Sequence, residues 1–138
     1  LYSLPLDKRN CMQKKIQTDR APAAIGPYSQ AIRHGNMIFT AGQIPLDPQT
    51  GEIVGDDITT QTRQVLDNLS AVLEAGGAQL EQVVKTTCFL NDLDDVAAFN
   101  EVYQLYLGTT APARSCVAVE RLPKDVLVEI EALAILEP

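Results

Sequence analysis

Four side chains near the end of the chain are of types that do chemistry, although their surroundings are typical of buried strands. In the stretch APARSCVAVERLPKDVLVEIEALAI, Arg114, Cys116, Glu129 and Glu131 interrupt an alternation of apolar residues. A guanidinium binds anions, a carboxylate can accept a proton, and a thiol can act as a nucleophile. Polar residues are also common on the wet face of an antiparallel sheet, so the charges alone do not decide between a site and a solvated surface.

The two strands that carry these residues predict a hairpin with its turn at Pro123-Lys124. By strand parity, all four side chains then share one face of the hairpin. In this register Arg114 and Glu129 are separated by four residues along the hairpin, roughly 13 Å at the rise of a strand. We therefore expect no salt bridge between them within one chain. The predicted pairs are Ala118 with Glu129, Cys116 with Glu131, and Arg114 with Leu133.

Motifs of the common hydrolases, nucleotide-binding proteins and metalloenzymes are absent from the sequence. It has no GxxxxGK[ST] loop, no GxGxxG segment and no HExxH or paired Cys/His set. The single histidine, His34, falls in a predicted turn, where a histidine is typically a solvated loop residue rather than part of a triad. The acidic pairs Asp56-Asp57 and Asp94-Asp95 each precede a helical pattern, which favours helix capping over metal binding.

The composition indicates one domain with net negative charge. A chain of 138 residues, 46% of them hydrophobic, supports a single core, and a formal net charge of −7 disfavours nucleic acid as the main ligand. Three cysteines without a CxxC pair, and no long apolar run, predict a cytoplasmic protein with no membrane span. We interpret residues 1–11 as an upstream or expression-derived extension and residues 12–138 as the domain, because Met12 resembles a natural start.

Hydrophobic periodicity predicts two helices and five or six strands. One helix extends from Ile58 to Ala75, and a second extends from an N-cap at Asp92 to about Gly108. The order β-β-(β)-α-β-α-β-β favours an α+β domain with both helices on one face of the sheet, so that self-association would cover the other face. Strands are predicted at 28–33, 37–41, 83–90, 114–120 and 126–136, with a loop or a short-armed hairpin at 44–57.

Four segments, spread in order over the chain, resemble the motifs of one known family. They are APAAIGPYSQAI at 21–32, AGQIPLDPQTGE at 41–52, PARSCV at 112–117 and RLPKDVLVEIEALA at 121–134. On these segments the chain is identified as a member of the reactive intermediate deaminase family, also called RidA or YjgF. The resemblance covers essentially the whole chain from Met12, and four ordered motifs are far more specific than any single one.

The resemblance implies a chorismate-mutase-like fold, assembled as a homotrimer with ligand-binding clefts between neighbouring subunits. It also implies hydrolysis of 2-imino or enamine acids, such as 2-iminobutanoate and 2-iminopropanoate, which pyridoxal-phosphate enzymes release. The products are a 2-keto acid and ammonia. No metal and no organic cofactor is required by this chemistry.

The resemblance further assigns roles to six residues. Arg114 would bind the ligand carboxylate through its planar fork, and Glu129 would hold the attacking water and accept its proton. Their separation along the predicted hairpin is compatible with neighbouring subunits supplying one residue each. The other four, all substrate-binding, are Tyr28 lining the cleft, Gly42 and Cys116 contributing backbone contacts, and Asn100 at the border.

Two departures from the family pattern concern the shape of the cleft. Ala41 stands where many members have a serine, and the connection LYLGTTAPARS is shorter than in some relatives. Two other functions remain open at this point: a non-enzymatic, carboxylate-binding regulatory trimer, and an endoribonuclease or translation inhibitor. The net charge of −7, and the lack of aromatic residues interleaved with a basic groove, count against the second.

Overall fold

A computed structural model describes residues 13–137, which form two α-helices and one six-stranded mixed sheet. This finding confirms the predicted α+β class with two helices; the observed order is β-β-β-α-β-α-β-β, but its first strand was not predicted and the segment 44–57 holds none. The interpretation of residues 1–11 lies outside the described residues. In chain order the elements are β1 (Gln13–Ile16), β2 (Ala31–His34), β3 (Met37–Thr40), α1 (Ile58–Ala75), β4 (Val83–Leu90), α2 (Val96–Leu107), β5 (Ala113–Ala118) and β6 (Val128–Ile135).

The first strand of the sheet was not predicted, and the segment 44–57 supplies no strand in its place. Strand β1 has the sequence QKKI, in which only Ile16 is buried, so its pattern carries too little hydrophobic signal for a strand. It is held by pairing with β2 along the edge of the sheet. Within 44–57 the structure contains an isolated bridge between Leu46 and Ile53, which leaves this segment a loop.

Helix α1 has the predicted bounds because its sequence marks both ends. The Asp57 side chain accepts a hydrogen bond of 3.0 Å from the Thr60 backbone N–H, which satisfies a free donor of the first turn. The helix ends before Gly76 and Gly77, of which Gly77 takes the left-handed conformation with φ 93°. Its fully buried stripe faces the sheet and consists of Val65, Leu66, Leu69, Val72 and Leu73.

The predicted hairpin between the last two strands is wrong, because β4 lies between them. The strand order is β1-β2-β3-β6-β4-β5, with β4 and β5 parallel and the other pairs antiparallel. The connection does not form a two-residue hairpin turn at Pro123-Lys124; instead Pro123–Asp125 forms a 3-10 turn with positive φ at Lys124 and Asp125. Adjacent segments in sequence therefore pair with a third strand rather than with each other.

This register places the chemical side chains on two faces instead of one. Arg114 is opposite Thr86, and Cys116 is opposite Cys88, so both point toward the helices with the buried side chains of β4. Glu129 is opposite Phe89, one position out of phase, and therefore points away from the helices. Glu131 is opposite Thr87 and shares that outward face. The prediction that all four residues share one face is thus wrong.

The outward face of the sheet, here called the open face, combines two carboxylates with partly exposed apolar residues. Phe39 is 42% exposed, Val117 44% and Ile135 39%, whereas the helix-covered face holds the core. No helix within residues 13–137 is long and apolar enough to cross a membrane. The expectation that self-association covers the open face stays a prediction. The open face comprises Phe39, Phe89, Val117, Glu129, Glu131, Leu133 and Ile135.

A buried glutamine fastens the loop between β1 and β2. Gln30 is 3% exposed, and its side-chain oxygen accepts a bond of 2.7 Å from the Thr18 backbone N–H. Its amide nitrogen donates to the backbone carbonyls of Thr18, at 3.1 Å, and Pro22, at 2.7 Å. These bonds satisfy backbone groups that no strand partner reaches, and they fix the segment that leads to Tyr28.

Replacing Gln30 with leucine should destabilise the protein by about 2–4 kcal/mol, because leucine keeps the volume but leaves several backbone groups without partners. Urea unfolding followed by circular dichroism measures the change. The matched control is Gln104→Leu, the same substitution on the exposed surface of α2. Equal stability of the two variants would contradict the proposed importance of the Gln30 network.

Candidate active site

Arg114 lies on the edge strand β5 with its guanidinium between the sheet and α2. Its Nη1 donates a hydrogen bond of 2.8 Å to Asn100 Oδ1. Its Cζ lies 4.9 Å from the centroid of the Tyr103 ring and 5.7 Å from that of Phe99. Among residues 13–137 no carboxylate comes within 4 Å of this guanidinium. The positive charge is therefore held by neutral groups and remains available to an anion.

Glu129 lies on the opposite face of the sheet and is half-buried. A Cβ added to Gly42 would collide with the Glu129 carboxylate, so the absence of a side chain at residue 42 makes room for it. Burial, and then the nearby charge of Glu131, raise the pKa of Glu129 above the usual 4.5. A carboxylate with a raised pKa is a better proton acceptor near neutral pH than an ordinary surface glutamate.

The close approach of Gly42 to Glu129 follows from a backbone bridge. The Gln43 N–H donates to the Ile130 carbonyl at 2.8 Å, and the Ile130 N–H donates back to the Gln43 carbonyl at 3.1 Å. Thr40 Oγ1 also accepts a bond of 3.0 Å from the Ala132 N–H. These bonds fasten the segment after β3 to β6, directly beside Glu129.

Cys116 is partly buried beside Arg114 and opposite Cys88 on the neighbouring strand. Burial raises the pKa of the Cys116 thiol, and it raises the pKa of Cys88 to about 12. Both thiols are therefore protonated near neutral pH and are poor nucleophiles. What Cys116 can offer a ligand is its backbone, as the resemblance implies, rather than a thiolate.

Tyr28 occupies a third location, in the loop between β1 and β2. It is 54% exposed and lines a cleft of about 600 Å³ together with parts of segments 15–30 and 48–49. Neither Arg114 nor Glu129 lines this cleft. Tyr28 is therefore positioned independently of both residues within one chain.

The six predicted site residues thus form two clusters and one separate residue. Arg114, Asn100 and Cys116 lie on the helix side of the sheet, whereas Gly42 and Glu129 meet on the open face. The backbone of the sheet separates the two clusters. A small ligand bound by one copy of the chain cannot contact both Arg114 and Glu129.

Sequence reasoning missed the aromatic surroundings of Arg114. Phe99 and Tyr103 are spaced four residues apart on the second helix, as in an apolar stripe, and both are buried. Their contact with Arg114 results from the pairing of β4 with β5, and the hydrophobic pattern of the helix carries no information about strand pairing. Within residues 13–137 no group of three or more His, Cys, Asp or Glu side chains is placed to hold a metal ion.

Comparison with known proteins connects this arrangement to one family. A family model described as "Endoribonuclease L-PSP" matches residues 18–136. The chain belongs to this family, the RidA or YjgF family. A RutC family protein of Pyrococcus horikoshii is 59% identical, over 89% of this chain and 98% of that protein.

Two relatives from Escherichia coli carry more specific names. A protein named 2-iminobutanoate/2-iminopropanoate deaminase is 53% identical over 90% of this chain and 98% of its own length. The crystal structure of E. coli TdcF with bound serine superposes with a TM-score of 0.85. Its sequence is 49% identical, and the match covers 90% of this chain and 99% of TdcF. Membership in the RidA family, predicted from four motifs, is therefore confirmed.

Replacing Glu129 with glutamine should stabilise the protein at pH 7. Because the folded state raises the pKa of Glu129 above 4.5, it binds the proton more tightly than the unfolded state does. Stability therefore falls as pH rises from about 4.5 through the folded pKa, and the full penalty persists at higher pH. Thermal unfolding of both proteins should show a higher midpoint for Glu129→Gln at pH 7 and equal midpoints at pH 4.

Glu120→Gln is the control, because Glu120 is exposed and lies outside the strands. It should leave the pH dependence of the midpoint unchanged. A Glu129→Gln variant with the same midpoint as the unsubstituted protein at pH 7 would show that the Glu129 carboxylate carries no desolvation penalty.

Proposed function

We propose that this RidA family member hydrolyses 2-imino acids and their enamine tautomers, with 2-iminobutanoate and 2-iminopropanoate as substrates. Water adds to the carbon of the protonated imine, the C–N bond breaks, and the products are the 2-keto acid and ammonium. The imine carbon is already electrophilic, so the protein needs only to orient the substrate, hold the water and move a proton. The chemistry requires no electron carrier.

The observation that carries this proposal is the Arg114 guanidinium, which is held in place without a carboxylate partner among the described residues. A small substrate carboxylate can supply that partner through two parallel hydrogen bonds. The name of the E. coli deaminase supports the choice of substrate, and the serine bound to TdcF is itself a small carboxylate.

Glu129 is the proposed base for the attacking water. Its desolvation raises its pKa, which improves its ability to accept the water proton and pass it to the departing nitrogen. The Gly42 and Cys116 backbones are proposed to contact the substrate, with Tyr28 lining the cleft. In the free chain Asn100 holds Arg114, which gives it a positioning role at the border of the site.

The site is proposed to lie between subunits of a homotrimer. Arg114 and Glu129 lie on opposite faces of one sheet, so one chain cannot apply both to the same substrate. The open face carries Glu129 among partly exposed apolar residues, which favours coverage by another chain. Cytoplasmic location, expected from the unpaired cysteines, stays a prediction.

The deaminase proposal predicts that the protein accelerates release of 2-oxobutanoate from 2-iminobutanoate generated in situ by a threonine dehydratase. Arg114→Ala should lower kcat/KM by about 100-fold or more, because it removes a charge-assisted bidentate contact to the substrate. Stopped-flow absorbance of the imine measures the rate. The matched control is Arg121→Ala, because the Arg121 guanidinium is exposed and already paired with Asp125 at the Nε–Oδ1 distance of 2.6 Å.

Equal acceleration by the unsubstituted protein and Arg114→Ala, or by neither, would reject the deaminase proposal. Binding of 2-oxobutanoate without imine turnover would instead support the regulatory carboxylate-binding trimer. Degradation of single-stranded RNA that Arg114→Ala abolishes would support the endoribonuclease function that the family description names, against the net charge of −7.

The intersubunit site predicts that two inactive variants restore each other. Arg114→Ala keeps Glu129, and Glu129→Gln keeps Arg114, so a mixed trimer contains some sites with both native residues. Random assembly after co-expression should recover about a quarter of the native activity, since each site draws one residue from each of two chains. The deaminase assay on co-purified mixed trimers measures the recovery.

The control is co-expression of two genes that both carry Arg114→Ala, and the resulting trimers should stay inactive. A co-expressed pair with no more activity than the separate variants would show that Arg114 and Glu129 do not complete one site across a subunit boundary. Sedimentation equilibrium on the same samples verifies the trimer on which this test depends.

A further inference from the structure

We infer that Tyr103 is a positioning residue for Arg114, with its ring supporting the guanidinium and Thr86 holding the ring. The inference rests on the proposed function only in taking Arg114 as the carboxylate-binding group. It goes further by identifying what sets the orientation of that group. Neither Tyr103 nor Thr86 belongs to the motifs that carry the family resemblance.

Arg114 needs external support because it lies on an exposed edge strand. Its side chain is exposed, and its one hydrogen bond to another side chain within residues 13–137 is the contact of Nη1 with Asn100. A single bond at one end allows a long side chain to rotate about that end. Bidentate binding of a carboxylate requires the plane of the guanidinium to be fixed, so a second constraint is necessary.

The rings of α2 supply that constraint. The Arg114 Cζ lies 4.9 Å from the centroid of Tyr103 and 5.7 Å from that of Phe99, both within the range of cation–π contact. The two ring centroids are 5.5 Å apart and their planes are inclined by 42°. The guanidinium thus rests against a tilted aromatic pair, with Tyr103 the closer ring.

Tyr103 is in turn fixed to the sheet through a buried hydroxyl pair. The Tyr103 hydroxyl and Thr86 Oγ1 are 2.7 Å apart, and Thr86 has no exposed surface. The Cys88 thiol also donates a weak bond of 3.8 Å to Thr86 Oγ1. Buried hydroxyls are rarely left without partners, so this pair fixes the position of the hydroxyl end of the ring relative to β4.

The pairing of β4 with β5 links the two constraints on Arg114, namely the position of its own strand and the position of the Tyr103 ring. Thr86 on β4 is the direct pairing partner of Arg114 on β5. The same register that places Arg114 beneath α2 therefore also places the hydroxyl that fixes the Tyr103 ring. With Nη1 bound by Asn100 and Cζ 4.9 Å from the centroid of the Tyr103 ring, the edge formed by Nε and Nη2 keeps a constant direction for an incoming carboxylate.

The test compares two tyrosines on the same helix. Tyr103→Leu removes the ring beside Arg114, whereas Tyr106→Leu makes the same change at a tyrosine whose hydroxyl bonds to Asp67 at 2.9 Å. Tyr103→Leu should raise KM about tenfold with kcat changed less than about threefold, because substrate binding loses its preorganised partner. Tyr106→Leu should leave both constants unchanged. Equal KM values for the two variants would overturn the inference.

A double variant distinguishes a positioning role for Tyr103 from a merely structural one, because only a positioning role makes the effect of Tyr103→Leu depend on Arg114. In the Arg114→Ala background, Tyr103→Leu should cause no further loss of kcat/KM, since the group it positions is gone. Multiplicative losses in the double variant would overturn the positioning role. If Tyr103→Leu does not fold, Tyr103→Phe replaces it; loss of the Thr86 bond alone should raise KM about twofold to threefold, and an unchanged KM would count against the inference.

A spectroscopic measurement separates this inference from the deaminase proposal. In the unsubstituted protein the Arg114 Nε–H proton resonance should show a ring-current shift, which Tyr103→Leu reduces to the contribution of Phe99 and Tyr106→Leu retains in full. An Arg114 resonance that is the same in all three proteins would overturn the inference even if imine turnover is observed. A shift that decreases in Tyr103→Leu, in a protein with no imine turnover, would reject the deaminase proposal and leave the aromatic support of Arg114 established.

Discussion

The placement of β4 between β5 and β6 is the constraint on which the candidate site depends. Strand β4 pairs in parallel with β5 and antiparallel with β6, and these two registers determine which residues of each neighbour point to which face of the sheet. Because side chains alternate along a strand, a shift of one residue in either register would exchange the faces of Arg114 or Glu129. The core reinforces the register, since Cys88 and Leu90 of β4 and Ile130 of β6 are fully buried against the helices.

That register keeps two opposite charges apart, and the half-buried Glu129 carboxylate is destabilised as a result. Arg114 rests against neutral rings and an amide, and Glu129 is desolvated against Gly42 with Glu131 nearby. A direct ion pair would lower the energy of each charged group, but it would also occupy the guanidinium and depress the pKa of the carboxylate. Because the sheet separates Arg114 from Glu129, neither charge is neutralised by the other, and each stays available to an external ligand.

Local features of this fold could be predicted from the sequence, and the features that depend on pairing could not. The 3.6-residue stripe and its caps gave the bounds of α1, and the β-branched run from Val83 to Leu90 gave those of β4. The assumed hairpin failed because proximity in sequence does not determine which strands pair. The role of Tyr103 was hidden for the same reason: its burial follows from the helix pattern, but its contact with Arg114 follows from the β4–β5 register.

The architecture also favours the proposed construction of the site from two copies of the chain. Two helices cover only one face of the sheet, so Arg114 reaches solvent at the rim of that covered face, while Glu129 stands on the other. Bringing them together within one chain would require a further layer over the open face, carrying another arginine toward Glu129. A neighbouring subunit can serve as that layer without additional sequence, and the apolar residues around Glu129 would gain burial in the same step. Assembly and catalysis would then be coupled, because the interface that buries Phe39 and Ile135 would also complete the site.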